Sequence, residues 1–231
     1  MNRAAWALGM ILLTSAAPAA QGPTVFLSVR GNRLFLPVAV DGYRTEAILD
    51  SAAESSLIDP SFAHELGVHV SGQAIARGSG GQQDAQFAQA SVRVGPVELK
   101  DITVGVVDLA DVSHRLIGST VRFVLGRELF DAARLRIDIE GRSLEVLSRS
   151  APVAGVSLPL AEHDGIESMP VRVEGMAAAA DVDLGNGNDI LIGKAFAVRK
   201  GLLTPGAHRR HAKGRRHRRS ARTRGVTRGF A

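Results

Sequence analysis

The sequence predicts a mainly β fold with little helix, built once in full and then begun a second time. Two observations carry this reading. Short apolar, β-branched segments alternate with Asp-Gly, Glu-Gly and Gly-Pro turn signals, as strands and hairpins do. The chain also repeats itself. PVAVDG at Pro37–Gly42 recurs as PVRVEG at Pro170–Gly175, and LIDPSFAHELG at Leu57–Gly67 recurs as LIGKAFAVRKG at Leu191–Gly201. The offset is 133 residues for the first pair (170 − 37) and 134 for the second (191 − 57). A single insertion therefore lies between them, in the loop behind Asp183.

The elements follow in order. Residues 34–40 run apolar and β-branched, Asp41-Gly42 is a hairpin turn signal, and Tyr43 to Leu49 is the returning strand. That strand delivers Asp50 to its end. In the second copy, residues 169–173 and Glu174-Gly175 play the same parts and deliver Asp183, so Asp50 and Asp183 are equivalent positions. Asp59 is placed to cap a short helix with Pro60 at its first position and Gly67 just past its end. Further strands are expected at Ala90 to Val94, Val97 to Val107 and Leu135 to Ile139, with Gly95-Pro96 and Glu140-Gly141 as turns.

Composition narrows the chemistry. The 231 residues include no cysteine, which excludes disulfides, thiolate metal sites and cysteine nucleophiles. The opening MNRAAWALGMILLTSAAPAAQG places Arg3 before a short apolar run and then the small-x-small pattern Ala17-Pro18-Ala19, so a signal peptide over 1–19 is expected, and with it a periplasmic or secreted bacterial protein. The net charge of +5 is concentrated at one end: ten Lys/Arg and no acid fall between His208 and Ala231. The remainder holds 28 − 10 = 18 basic against 23 acidic residues and is acidic. Residues 204–231, with almost no aromatic interleaving, are expected to be a disordered basic tail and not a nucleic-acid or membrane surface.

A lone aspartate at a strand end ordinarily marks a turn. Duplication changes its meaning. Two related lobes about a pseudo-twofold axis bring equivalent strand ends face to face, and two carboxylates held that close share one proton. One then acts as base on a bound water and the other as acid, which suffices to hydrolyse an amide without metal or cofactor.

These residues resemble the retropepsin-like aspartic proteases, particularly the bacterial exported type. AILDSAAESSLIDPSFAHELGV looks like the family's aspartate element, with Asp50 at the catalytic position, and Ser51 and Ala52 in its supporting loop; Asp183 and Gly185 are the second copy's counterparts. RGSGGQQDAQFA resembles the flap, where Gly78, Ser79, Gly80 and Gly81 form a mobile hairpin over substrate. FVLGRELF resembles the apolar-apolar-Gly element, with Val124, Leu125 and Gly126 bracing the aspartate loop. RLRIDIEGRSLEVL resembles the closing strand pair. The resemblance implies a closed β-barrel lobe over 24–150, a partial second lobe over 156–203, and aspartic endopeptidase activity on peptide or protein substrates.

Two positions depart from the pattern. Ala52 stands where the family has glycine, so the loop must avoid positive φ there or bear strain. Leu184 stands where the family has a hydroxyl that bonds across to the opposing loop. The second copy also has no segment matching Gly126, and after Leu203 the apolar periodicity stops abruptly, as a reading-frame shift would produce. An alternative function is therefore a weak or inactive relative that binds peptides or a periplasmic partner, and an alternative route to the pair is a homodimer presenting Asp50 from each chain. Other chemistries have less support. GNGNDILIG, Gly185 to Gly193, looks like one calcium-binding nonapeptide, but that motif needs stacked copies. Ser79 lacks the strand–elbow–helix context of a serine nucleophile, and His64, His69, His114 and His163 show no distinctive spacing.

Overall fold

The computed structural model describes residues 23–78, 81–163 and 165–203. The expected signal peptide, the expected basic tail, Ser79 and Gly80 lie outside them. The first part of the chain forms β1 (Thr24–Phe26), β2 (Ser28–Arg30), β3 (Arg33–Val40), β4 (Tyr43–Leu49), β5 (Leu57–Ile58), α1 (Pro60–Leu66), β6 (Ser71–Gly78), β7 (Gly81–Val94) and β8 (Val97–Val106). A π-helical turn, Val112–Ile117, leads into β9 (Phe123–Leu125), α2 (Glu128–Ala132), β10 (Arg134–Asp138) and β11 (Ser143–Leu147). The second repeat contributes β12 (Ala161–His163), β13 (Ile166–Val173), β14 (Met176–Asp181) and α3 (Lys194–Arg199).

The fold is mainly β, as expected. Its largest sheet runs β2-β3-β4-β9-β5-β8-β7-β6, and β3 also pairs with β7 through Ala39↔Arg93 and Val40↔Val92. That extra pairing curls the sheet back on itself into a barrel-like form. The core fills its inside: Leu36, Val40, Leu49, Ile58, Phe62, Val92, Phe123 and Leu125 are all buried in one cluster. Strand β7 is far longer than the five residues expected, because its N-terminal half pairs with β6 as a hairpin extending past the core. Mostly polar, that half carries no strong apolar alternation for a sequence reading to detect.

The repeat is exact in its pairing. Ser28 faces Phe35 as Ala161 faces Ser168, and Val40 faces Tyr43 as Val173 faces Met176, each shifted by 133 residues. Both hairpin turns carry positive φ at two residues, 47° and 83° at Asp41-Gly42, 49° and 77° at Glu174-Gly175, the geometry that two-residue hairpin loops require. Helix α1 is capped as expected: the Asp59 side chain accepts from the Ser61 N–H, and Gly67 closes the helix at φ 67°. Its counterpart α3 begins after Gly193 without a side-chain cap.

The two copies differ in what buries them. In the first, β5 runs between β8 and β9, and Ile58 is 0% exposed. In the second, among the described residues, no strand takes the places of β8 and β9, and the equivalent Ile192 is 47% exposed. Stability therefore resides in the first copy. Ile58→Ala is expected to cost about 3–4 kcal/mol, and Ile192→Ala under about 1 kcal/mol, in urea unfolding of the whole chain.

Candidate active site

Asp50 leaves the end of β4, whose parallel pairing with β9 runs to Leu49↔Leu125. Its own N–H donates to the Leu125 carbonyl at 3.0 Å, so the strand-end position is fixed by the apolar element anticipated to brace it. The carboxylate then turns the loop: Oδ1 accepts from the Ala52 N–H at 2.9 Å, an Asx turn. Ala52 does not adopt positive φ, so the loop avoids the strain that an alanine in place of glycine threatened.

Behind this loop lies a brace that sequence reasoning missed. Ser56 is fully buried; its N–H and hydroxyl donate to the two carboxylate oxygens of Glu128, each at 2.8 Å. The same hydroxyl accepts from the Gly126 N–H at 3.0 Å, and the Arg127 N–H donates to the Ala53 carbonyl at 3.0 Å. Gly126 is required by space: a Cβ there would stand 2.8 Å from the Ala53 oxygen. Ser56 and Glu128 are 72 residues apart, and no local periodicity joins them.

The second repeat reaches the same place. The Ser51 hydroxyl donates to the Val182 carbonyl at 2.5 Å and accepts from the Leu184 N–H at 3.0 Å, gripping the backbone on both sides of Asp183. Leu184 returns no hydroxyl bond; its side chain packs against the core cluster of the first copy instead. Gly185, the equivalent of Ala52, lies directly against Asp50, where a Cβ would fall 2.3 Å from the carboxylate carbon. Glycine serves here by size, not by φ.

Two further contacts are reciprocal. Asn32, in the turn before β3, donates to the Gly187 carbonyl at 3.1 Å. Its equivalent Gly165, in the turn before β13, sits against Glu54, the equivalent of Gly187, and its carbonyl accepts from Arg127 at 2.5 Å. Each copy's turn thus docks on the other's aspartate loop, the arrangement an approximate twofold axis produces. Arg127 also pairs with Asp131 at 2.9 Å and Glu162 at 3.2 Å, tying the second repeat to the brace.

Burial and the charge of Asp183 push the Asp50 carboxyl up to about 6, against the opposing pull of the Ala52 and Ala53 N–H groups and of Arg33. Asp50 is half-buried and Asp183 exposed, so the pair is electrostatically unequal. The segment anticipated as the flap is a hairpin: β6 and β7 pair out to Gly78↔Gly81. Among the described residues no group of three or more His, Asp or Glu side chains is placed to hold a metal ion.

Residues 36–129, which span β3 to α2 and include the Asp50 loop and its brace, match the family model described as aspartyl protease. Over that segment the chain is similar to the aspartyl protease family. Among curated proteins it is similar to DNA damage-inducible protein 1 of Chaetomium globosum, 27% identical over 157 residues, which is 64% of this chain and 32% of that protein. It thus spans about a third of the relative's length. Among solved structures it aligns with a retropepsin-like aspartic protease from Rickettsia conorii at 18% identity and a TM-score of 0.38, covering 57% of this chain and 94% of that one.

Two outcomes follow for this candidate site. Gly185→Ala must displace either the Asp183 loop or the Asp50 carboxylate, and the Asp50 carboxyl resonance should change its titration midpoint in NMR while the first copy stays folded. The raised Asp50 pKa also sets a pH dependence of stability. Its contribution is complete below the unfolded value of 3.8 and is lost as pH rises through about 6, a change of about 3 kcal/mol. Asp50→Asn lacks this loss, so its stability relative to wild type should rise between pH 4 and pH 7.5 in denaturant titrations.

Proposed function

We propose that the chain is an exported aspartic endopeptidase in which Asp50 and Asp183 activate water to hydrolyse peptide bonds. The observation that carries this reading is the one-sided grip of Ser51 on Val182 and Leu184, which holds Asp183 at the loop facing Asp50. In the working state the pair holds one proton, on Asp50, whose carboxyl is pushed up. Asp183, ionised, takes a proton from a water bound between the two while that water's oxygen attacks the scissile carbonyl carbon. Asp50 gives its proton to the carbonyl oxygen, forming a neutral gem-diol. Collapse breaks the C–N bond as Asp183 returns its proton to the leaving nitrogen and a diol hydroxyl proton passes back to Asp50. Products are a carboxylic acid and an amine, and the starting protonation is restored.

The hairpin of β6 and β7 is the element proposed to close over an extended peptide, and the extracytoplasmic location rests on the N-terminal segment 1–19. A pair made within one chain is favoured over a homodimer because loop 182–187 already occupies the ground facing Asp50. Cleavage of an unfolded protein substrate should decline above about pH 6, as Asp50 loses its proton. Asp50→Asn and Asp183→Asn should each lower kcat by at least about a hundredfold. Full activity in Asp183→Asn with none in Asp50→Asn would establish the homodimer instead.

One observation favours a second reading. With Leu191 and Ile192 66% and 47% exposed, the second repeat lacks the packing that holds its counterpart in the first. On that reading the cleft binds peptides without cutting them. Saturable binding of a statine-type peptide, which mimics the gem-diol, with no turnover between pH 3 and pH 7 would decide for it.

A further inference from the structure

Arg33 opens β3 and is only 8% exposed, although a guanidinium keeps its proton at any pH the protein meets. Its Nη1 donates to the Gly31 carbonyl at 2.9 Å. The backbone of Gly187 lies on its other side: a Cβ there would stand 2.7 Å from Nη1 and 3.1 Å from Cζ. A cation removed from water in this way is costly unless an anion opposes it. Other arginines around the two loops have such partners, Arg30 with Glu46 and Arg127 with Asp131 and Glu162. Among the described residues no carboxylate forms an ion pair with Arg33.

The repeat shows why. The first copy has Glu54 where the second has Gly187, so the loop against Arg33 offers backbone in place of a carboxylate. The counterpart of Arg33 itself is Ile166, so the cation stands on one side of the approximate twofold only. The loop that covers Arg33 also faces the carboxylate: Gly187 lies against the guanidinium, and Gly185, two residues earlier, lies against Asp50. The charge of Asp183 raises the Asp50 carboxyl and that of Arg33 lowers it.

Building on the dyad reading above, we propose that Arg33 is a positioning residue whose buried charge is balanced by the single negative charge shared by Asp50 and Asp183, holding the pair singly ionised in acid. The device is asymmetric by construction. Arg33 does not contact substrate; it fixes the pH range in which one proton, and not two, sits on the pair.

The test compares wild type with Arg33→Gln, which keeps a donor for the Gly31 carbonyl without the charge, and Arg33→Lys, which keeps the charge. Two readouts are taken: the Asp50 carboxyl titration by 13C NMR, and kcat and KM for peptide cleavage from pH 2.5 to 7.5. In Arg33→Gln the Asp50 midpoint and both limbs of the kcat profile should move up by about one pH unit, with KM little changed. Arg33→Lys should titrate like wild type. If Gln and Lys variants titrate alike, or neither moves the midpoint, Arg33 is merely structural and the proposal fails. Should Arg33→Gln not fold, Arg33→Met supplies the neutral variant. Absence of cleavage by wild type together with the shifted midpoint overturns the protease reading alone; normal cleavage with an unshifted midpoint overturns the role of Arg33 alone.

Discussion

The meeting of the two aspartate loops depends first on one hydroxyl. Ser51 donates to Val182 and accepts from Leu184, so a single side chain holds the backbone on both flanks of Asp183. Such a bond is modest in water, but here it is part-buried between two loops and sets their register. In a symmetric arrangement two hydroxyls would share that work. Here Leu184 substitutes apolar contact with the core of the first copy. The exchange is physically coherent, because a leucine gains its free energy by leaving water and needs no partner of matching geometry. It also makes the second loop depend on the first copy for its placement.

That dependence agrees with where burial lies. The first copy has a closed circuit of strands and a continuous core, and its aspartate loop is clamped from behind by Leu125, Ser56, Glu128 and Gly126. Among the described residues the second has three strands and one short helix, with Ile190, Leu191 and Ile192 exposed. The second repeat is held by what it touches: Ser51, the Asn32 contact with Gly187, and Arg127 bridging to Gly165 and Glu162. Asp50 is placed by its own lobe, and Asp183 is placed because the first lobe holds it.

Much of this was legible in the sequence because the duplicated segments carry their own register. The offset of 133 fixed which residues are equivalent, and the strand pairs obey it residue by residue. The turns at Asp41-Gly42 and Glu174-Gly175 and the cap at Asp59 were readable because local chemistry determines them. The brace of Ser56 and Glu128 was not, since a hydrogen bond across 72 residues leaves no periodic trace. The role of Leu184 was read as a loss because a missing hydroxyl is visible in a sequence while the core it packs against is not. Ala52 looked like a source of strain, yet the loop never visits positive φ there, and the glycine that matters is Gly185, for lack of room beside Asp50.

The departures from symmetry act together. Ala52 against Gly185, Ser51 against Leu184, Glu54 against Gly187 and Arg33 against Ile166 each place a different group on the two sides of the approximate axis. A dyad with identical surroundings must let either carboxylate hold the proton. Unequal surroundings remove that degeneracy, because a half-buried Asp50 facing an exposed Asp183 is the cheaper site for the proton. In the proposed dyad the roles of acid and base would then follow from burial and not from chance, and the same asymmetry that weakens the second copy as a fold would assign its chemistry.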